Sequence, residues 1–399
     1  MTVIGMESPR PQSRIRSVDA LRGLVMIIMA LDHTREYFNR SAFQFQPDDL
    51  SRTNAALFFT RWITHFCAPV FFFTAGLGAF FWLAHGRTPS QLTRFLVTRG
   101  LWLVVLELTA LRLAMYFNFF EGFVVLSILW ALGWSMVALG FLARLPVRVL
   151  AVVSILTIAL HNLADPVAAT EFGRAAWIWN VIHELGVFQF GSVTFLVAYP
   201  LVPWFAVMAA GFCFGQIVAL DSVDRRRWMI RIGCGLTLAF LLIRWINMYG
   251  DPLPWSTQFP GMTALSFLRV NKYPPSLDFL LMTLGPAILL LGLMDKVQFK
   301  DQNPLIVFGR VPLFYFLLHF MLIHLLTIPF ALARYGHAGF LLHPFPSLGG
   351  PADSFPADYG YSLGVTYAVW IGVVIIMYPL CLWYSRLKAR RKDWWLSYL

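Results

Sequence analysis

The stretch ALFFTRWITHFCAPVFFFTAGLGAFFWLA, residues 56–84, is almost wholly apolar and long enough to cross a bilayer as a helix. A spanning helix needs about 20 largely apolar residues. Nine further stretches of this kind lie on either side of it, at 17–38, 92–112, 120–143, 147–163, 193–219, 229–249, 276–295, 304–332 and 361–385. The sequence therefore predicts an all-α fold, a polytopic membrane helix bundle with about ten transmembrane helices.

Composition excludes most other classes of protein. Hydrophobic residues make up 58% of the chain and charged residues only 13%, whereas soluble domains carry about 25% charged residues. Water-soluble, disordered, collagen-like and disulfide-scaffold classes do not fit this balance. The net charge of +11 is explained by basic residues collecting in cytoplasmic loops, so we expect the lipid bilayer, and no nucleic acid, as a partner.

The positions of Lys and Arg predict the orientation of the bundle. Basic residues concentrate in both termini and in alternate connections, at 85–99, 144–148, 221–231 and 295–303. Because basic residues favour the cytoplasmic side, both termini are predicted to be cytoplasmic. We divide the chain into a cytoplasmic tail (1–16), a transmembrane domain (17–385) and a basic cytoplasmic tail (386–399).

The first predicted helix, SVDALRGLVMIIMALDHTREYF at 17–38, is unusually rich in charge. Arg22 and His33 are eleven residues apart, close to three helical turns, so they share a face about 16 Å apart along the axis. Asp19 lies one turn from Arg22, and Glu36 lies one turn beyond His33, where it is placed to orient the ring. Charged groups inside a bilayer usually face a protein interior or water and mark a functional site. The alternatives are a structural Asp19–Arg22 ion pair and a hydrogen-bonded interior histidine.

Four motifs carry a resemblance to a known family. They are RSVDALRG at 16–23 followed by His33, THFCAPVFFFTAG at 64–76, KYPPS at 272–276 and GRVPLFYFLLH at 309–319. Their order and spacing resemble the heparan-alpha-glucosaminide N-acetyltransferase-like (DUF1624) proteins, and the first motif also resembles the wider membrane acyltransferase-3 group. Together these motifs are spread over residues 16–319, which is most of the chain.

The resemblance implies an acyltransferase. In such proteins an acyl group, usually acetyl, passes from cytoplasmic acyl-CoA to an amine or hydroxyl of a sugar, glycan or glycolipid on the other side of the membrane. A first-helix histidine is the implied catalyst of acyltransferase-3 proteins, and it matches His33. The animal lysosomal enzyme has its candidate histidine in the loop after the first helix. This chain has none between His33 and His65, so heparan sulfate is not carried over as substrate.

The residues themselves suit this chemistry. Histidine titrates near neutrality and serves as a general base, and an acyl-histidine intermediate is the other option. We predict His33 as the catalytic residue, with Asp32 or Glu36 tuning it. CoA phosphates require basic side chains, so Arg22, Arg94, Arg99 and Arg310 are predicted at the acyl-CoA site, together with Asp19 as the partner of Arg22. For each arginine, a topological or lipid-headgroup role is the alternative.

Other polar residues are candidates for the acceptor. They are His65, His183, Glu184, Lys272, Tyr273 and Ser276. For Lys272, Tyr273 and Ser276, contact with CoA is the alternative. For His65 a structural role is the alternative, and for His183 and Glu184 it is anchoring at the membrane interface. His319 and His324 are five residues apart and do not share a helical face, so no metal site is predicted there. Glu107 lies midway along the third predicted helix and needs a partner from another helix.

The sequence therefore predicts an acetyl-CoA-dependent O- or N-acetyltransferase of a bacterial inner membrane, with a homodimer as one option. A secondary transporter of a small polar or anionic solute is the alternative, since polar residues in ten spans fit that class as well. Transporters usually show two related halves, and no such repeat is visible. A non-catalytic membrane scaffold is the third interpretation, and it leaves the charged first helix unexplained.

Overall fold

Helices make up most of the chain in the computed structural model, which describes residues 15–118, 122–258, 261–391, 393 and 396. In this part of the chain the α-helices are α1 (Arg16–Phe38), α2 (Ala55–Trp62), α3 (Cys67–Ala84), α4 (Pro89–Leu106), α5 (Arg112–Tyr116), α6 (Ile128–Leu142), α7 (Val147–Leu160), α8 (Ala176–Ile182), α9 (Trp204–Val218), α10 (Ser222–Ile246), α11 (Thr263–Leu268), α12 (Leu277–Met294), α13 (Pro304–Arg310), α14 (Pro312–Tyr335) and α15 (Leu363–Arg390). Most of the predicted tail 1–16 lies outside the described residues. Of the predicted tail 386–399, the part as far as Arg390 continues α15.

Six helical segments of the described chain are long and apolar enough to cross a membrane. They are Ala55–Ala84, Val147–Ala164, Ser222–Ile246, Leu277–Met294, Pro312–Tyr335 and Leu363–Arg390. α6 and α9 are apolar but shorter. α1 has 23 residues, which is long enough to span, but it carries too many charges to qualify on composition. The integral membrane class is thus confirmed, whereas the count of ten and the side of each terminus stay predictions.

A small sheet replaces two parts of the predicted helices. β1 (Phe123–Leu126) pairs in parallel with β3 (Val193–Val197), and β2 (Gly186–Phe190) pairs antiparallel with β3. The predicted starts of helices 120–143 and 193–219 were therefore wrong. α6 begins at Ile128 and α9 begins at Trp204. Apart from Thr194, β1 and β3 consist of valine, phenylalanine and leucine, which suit a half-buried strand as well as an apolar helix.

The predicted span 304–332 is also broken into two helices. α13 ends at Arg310, and α14 begins at Pro312. Val311, between them, has extended φ and a ψ of 51°. Proline lacks the N–H that a continuing helix would use and restricts the residue before it. The chain therefore turns at the cavity wall that Pro312 helps to form.

α1 lies inside the bundle and packs against α3, α12, α13, α14 and α15. Its closest approach is to α13, where two glycines let the backbones touch. A Cβ on Gly23 would lie 1.8 Å from the carbonyl oxygen of Leu305. A Cβ on Gly309 would lie 1.8 Å from the carbonyl oxygen of Asp19. Small residues at such crossings are typical of membrane helix pairs, and here they fix the position of the charged first helix.

Glu107 anchors the start of α6. It lies in a π-helical turn (Glu107–Leu111) that follows α4. Its carboxylate accepts hydrogen bonds from the backbone N–H of Ser127 at 3.0 Å, of Leu129 at 3.0 Å and of Trp130 at 3.2 Å. The Ser127 hydroxyl donates to it as well, at 2.6 Å. The first N–H groups of a helix have no partner within it, so Glu107 satisfies the N-terminus of α6. The sequence predicts a partner for Glu107 on another helix. The partners are mainly backbone N–H groups at the start of α6.

We expect Gly309→Ala to lower the thermal unfolding midpoint of the detergent-purified protein. The added methyl group meets the backbone of α1, and overpacking of this kind costs about 1–3 kcal/mol. Gly235→Ala is the matched control, because a Cβ there has no atom within 4 Å. Equal stability of the two variants would contradict the tight α1–α13 contact.

Glu107→Ala is expected to destabilise the protein more than an ordinary surface change. It leaves buried N–H groups without an acceptor, at about 1–3 kcal/mol for each. Glu107→Gln keeps one acceptor oxygen and should fall between this variant and the wild type. Glu171→Ala removes a single exposed hydrogen bond, to the Ala168 N–H, and serves as the control. Thermal unfolding followed by circular dichroism checks the order of the variants.

Candidate functional site

Two cavities meet inside the bundle and share a wall. The polar cavity, of about 290 Å³, is lined by His33 and its charged neighbours. The apolar cavity, of about 270 Å³, is lined mostly by apolar side chains, with Arg22 and Arg99 among them. Phe71, Ile128 and Phe316 line both cavities. These three apolar side chains are therefore the wall between the two spaces.

α1 contributes to both cavities. Arg22 lines the apolar cavity and forms an ion pair with Asp19 at 2.5 Å. His33 lines the polar cavity, three turns further along the same helix. The spacing noted in the sequence thus places a cation and a histidine on either side of the shared wall.

His33 is oriented by Glu36. Its Nδ1 lies 2.8 Å from Oε2 of Glu36, so Nδ1–H donates to the carboxylate. In a neutral imidazole the other nitrogen, Nε2, then has a free lone pair. The ring packs on Phe320, with centroids 4.0 Å apart, and on His319 at 5.3 Å. The histidine is thus held in the tautomer that a general base requires.

His319 is a second histidine beside this pair. Its Nδ1 donates to the backbone oxygen of Tyr315 at 3.0 Å. Its Nε2 is buried and has no hydrogen-bond partner among the described residues. His319 does not line the polar cavity, but its ring packs against the ring of His33.

Asp32 holds two arginines. It pairs with Arg35 at 3.2 Å and with Arg61 of α2. Arg35 also lies 3.7 Å from Oε1 of Glu36. All four of these charged side chains are largely buried. Buried charges are tolerated when they are paired in this way, and the chain of contacts fixes the carboxylate that orients His33.

Lys272 and Tyr273 enter the polar cavity from the segment before α12. The Lys272 ammonium lies 5.1 Å from the centroid of the Tyr273 ring. The rings of Tyr273 and Tyr199 lie 5.4 Å apart, and Arg61 lines the same cavity. Burial by itself would raise the pKa of Tyr273, but nearby Lys272 and Arg61 outweigh it, and the pKa lies below its ordinary value. This part of the cavity is therefore electropositive.

Ser276 belongs to the support of this segment. Its hydroxyl donates to Asp251 at 2.6 Å and accepts from the N–H of Phe279 at 3.0 Å, which caps α12. Asp251 also accepts from the N–H of Asn271 at 2.7 Å. Ser276 does not line the polar cavity, and the contacts of its hydroxyl lie within the fold.

The remaining acceptor candidates do not line the polar cavity. His65 is buried against Phe279, with ring centroids 5.4 Å apart. His183 is hydrogen-bonded to Asp165 at 2.9 Å, and Glu184 accepts from the N–H of Ala169 at 2.6 Å. None of the three candidates is among the residues that line the polar cavity in the described chain.

Of the four arginines predicted at the acyl-CoA site, two line the apolar cavity and two do not. Arg22 and Arg99 line the apolar cavity, whereas Arg94 is exposed on α4 and does not. Arg310 pairs with Asp301 at 2.6 Å and lines a separate surface cavity beside Lys388. The structure thus brings two of the four predicted arginines together.

Sequence reasoning missed Arg61, Tyr199 and Ser127 of the polar cavity. For Arg61 a signal was present, since it is a lone charge within the apolar stretch 56–84. Tyr199 and Ser127 reach the site from connections whose course depends on the small sheet, so no local pattern marks them. Within the described residues, no group of three or more His, Cys, Asp or Glu side chains is arranged to hold a metal ion.

Comparison with known proteins identifies the family. The family model described as "Heparan-alpha-glucosaminide N-acetyltransferase, catalytic" matches residues 14–245, more than half of the chain. A search among curated proteins found no match. The matched region contains α1, Arg61 and Tyr199, and it confirms the resemblance drawn from the sequence motifs. The chain therefore belongs to the heparan-alpha-glucosaminide N-acetyltransferase catalytic-domain family, and its function is of the membrane acetyltransferase type.

Proposed function

We propose that the protein transfers an acetyl group from acetyl-CoA to an amine or hydroxyl of a sugar, glycan or glycolipid. Acetyl-CoA enters the apolar cavity from the cytoplasm, and the acceptor occupies the polar cavity on the other side of the shared wall. The observation that supports this arrangement most directly is the Glu36–His33 pair in the polar cavity, next to that wall. The basic connections noted in the sequence support both termini in the cytoplasm, and the bacterial inner membrane is taken from the resemblance alone.

The apolar cavity suits the donor. Arg22 and Arg99 provide positive charge for CoA phosphates, which arginine binds well. The remaining walls are mostly apolar and match the long pantetheine arm. The thioester at the end of that arm then lies at the wall formed by Phe71, Ile128 and Phe316.

His33 acts as the general base in this proposal. Its Nε2 takes the proton from the acceptor nitrogen or oxygen as that atom attacks the thioester carbonyl. The carbon–sulfur bond then breaks, and the proton passes from His33 to the departing CoA thiolate. Glu36 stabilises the transient imidazolium through the Nδ1–H hydrogen bond. In a two-step route the same Nε2 would carry the acetyl group, and trapping of radiolabelled acetyl-enzyme separates the two routes.

A transporter would use the same two cavities to move a solute across the membrane. A transporter needs the shared wall to open and close around a solute, with no change in covalent bonds. Histidines also relay protons in some transporters, so the enzyme is preferred because the chain belongs to an acetyltransferase family. Loss of the acetyl-CoA thioester is the observation that distinguishes them.

We expect His33→Ala to reduce thioester loss by roughly 100-fold or more, the usual contribution of a general base. Glu36→Gln should reduce it less, because the ring keeps its free nitrogen. Both variants should still be stabilised against heat by acetyl-CoA, since ligand binding adds stability without turnover. His85→Ala, at an exposed connection, is the control and should behave as wild type. Full turnover by His33→Ala would remove it from the mechanism.

Arg22→Ala and Arg99→Ala should each raise the KM for acetyl-CoA about tenfold with a smaller effect on kcat. A hydrogen bond to a charged group contributes about 1.5–3 kcal/mol, and 1.4 kcal/mol is tenfold in affinity. Arg94→Ala is the matched control, because Arg94 lies on the same helix as Arg99 but outside the cavity. An equal rise in KM for Arg94→Ala would show that the effect comes from surface charge and not from the cavity.

A further inference from the structure

A further cavity lies where the end of α15 meets the chain before α14, and the proposed function does not use it. Its volume is about 470 Å³. Its charged lining consists of Arg310, Arg386 and Lys388, with the carboxylate of Asp301 among them. We call it the basic cavity. The sequence predicts Arg310 at the acyl-CoA site, whereas the structure places this arginine here.

Contacts between three segments of the chain hold the walls of the basic cavity. The Tyr378 hydroxyl of α15 donates to the backbone oxygen of Gln302 at 2.8 Å, which joins α15 to the 295–303 connection. Arg310, at the end of α13, pairs with Asp301 of the same connection at 2.6 Å. Because α13 also packs against α15, the basic cavity is part of the fold and not a gap between loose side chains.

Positive charge exceeds negative charge in the basic cavity. The carboxylate of Asp301 is shared, because it lies 2.6 Å from Arg310 and 3.4 Å from Arg16. Arg386 has no carboxylate partner among the described residues. The C-terminal end of a helix carries about half a negative charge, which the two basic side chains of α15, Arg386 and Lys388, outweigh. The basic cavity therefore favours an anion.

The sequence of α15 places the basic cavity at the membrane surface. α15 has 28 residues, whereas a spanning helix needs about 20, so part of it extends beyond the hydrocarbon region. Its apolar stretch ends at Tyr384 and is followed by Ser385 and Arg386. Trp383, just before this change, is 60% exposed, and tryptophan is enriched at the membrane–water interface. The basic cavity thus lies at the level of the lipid headgroups.

An exposed apolar surface leads from the basic cavity towards the middle of the bilayer. Ile375 is eleven residues before Arg386, which places both on one face of α15, about 16 Å apart along the axis. Ile375 is 65% exposed, and Leu382, between the two, lines the basic cavity itself. A soluble phosphate compound would contact only the basic end of this surface. A phospholipid would contact both ends, with its headgroup on the arginines and its acyl chains on the apolar face.

We propose that the basic cavity binds the phosphate of an anionic phospholipid headgroup, with the acyl chains lying along α15. Basic pockets between membrane helices on the cytoplasmic side are suited to such headgroups, and the basic connections predict that this end of the bundle is cytoplasmic. The bound headgroup bridges α13 and α15 and so stabilises the part of the bundle against which α1 packs. This inference does not depend on the proposed acetyl transfer.

The test measures the thermal unfolding midpoint of the protein in dodecyl maltoside micelles with added dioleoyl phosphatidylglycerol or dioleoyl phosphatidylcholine. The two lipids have the same acyl chains and differ in the net charge of the headgroup. We expect phosphatidylglycerol to raise the midpoint more than phosphatidylcholine does, since a ligand that binds the folded state stabilises it. The difference should shrink from about 0.1 M to about 0.5 M salt, because salt screens the attraction.

Arg386→Gln should weaken the binding of phosphatidylglycerol about fivefold, measured from the lipid concentration that gives half of the midpoint shift. One basic residue near an anionic lipid surface contributes about 1 kcal/mol, which corresponds to that factor. Ser385→Glu places a carboxylate in the basic cavity, should weaken binding at least as much, and covers the case in which the glutamine variant folds poorly. Arg390→Gln is the matched control, because Arg390 is exposed on the same helix and does not line the basic cavity.

Three results would overturn the inference. Equal stabilisation of the wild type by the two lipids would show that the headgroup charge is not recognised. Equal weakening by Arg390→Gln would show that the general surface charge attracts the lipid. Stabilisation by CoA or glycerol 3-phosphate that depends on Arg386, with no such dependence for phosphatidylglycerol, would assign the basic cavity to a soluble phosphate compound.

Discussion

The site depends on one buried interaction, the sharing of Asp32 between Arg35 and Arg61. A lone carboxylate in the interior of a membrane bundle would be costly, and each arginine alone would be too. Sharing the carboxylate neutralises part of both cations and ties α1 to α2. From Arg35 the contacts continue to Glu36 and His33, and Arg61 lines the polar cavity together with Tyr273. The orientation of the histidine and the position of the electropositive wall therefore have a common origin.

The second requirement is that α1 stays in place while it carries these charges. Between membrane helices the hydrophobic effect gives little attraction, because lipid is as apolar as the helices, so close packing must replace it. Gly23 and Gly309 supply that packing against α13. They bring the backbones together near Asp19, at the end of α1 that lines the apolar cavity. The polar network then secures the other end, and the two cavities remain aligned across Phe71, Ile128 and Phe316.

Much of this could be predicted from sequence because it is local. Apolar stretches of sufficient length identify the membrane class, since hydration of a spanning segment is governed by its own side chains. The Asp19–Arg22 and His33–Glu36 pairs follow from helical spacing, which places residues three apart on one face. The small sheet was missed because short runs such as Phe123–Leu126 do not distinguish a strand from a buried helix. The choice between them was made by pairing with Val193–Val197, about 70 residues away.

The sequence by itself determined the membrane class, the family and the histidine on the first helix. Each of these depends on residues that are close together along the chain. Only the tertiary structure decided which of the many polar residues form the site. It placed Lys272 and Tyr273 in the same cavity as His33 and left His183, Glu184 and Arg94 outside it, although the sequence offered all of them as candidates. The physical reason is that a cavity is made by side chains from distant segments. Its net charge is therefore a property of their assembly and of no single segment.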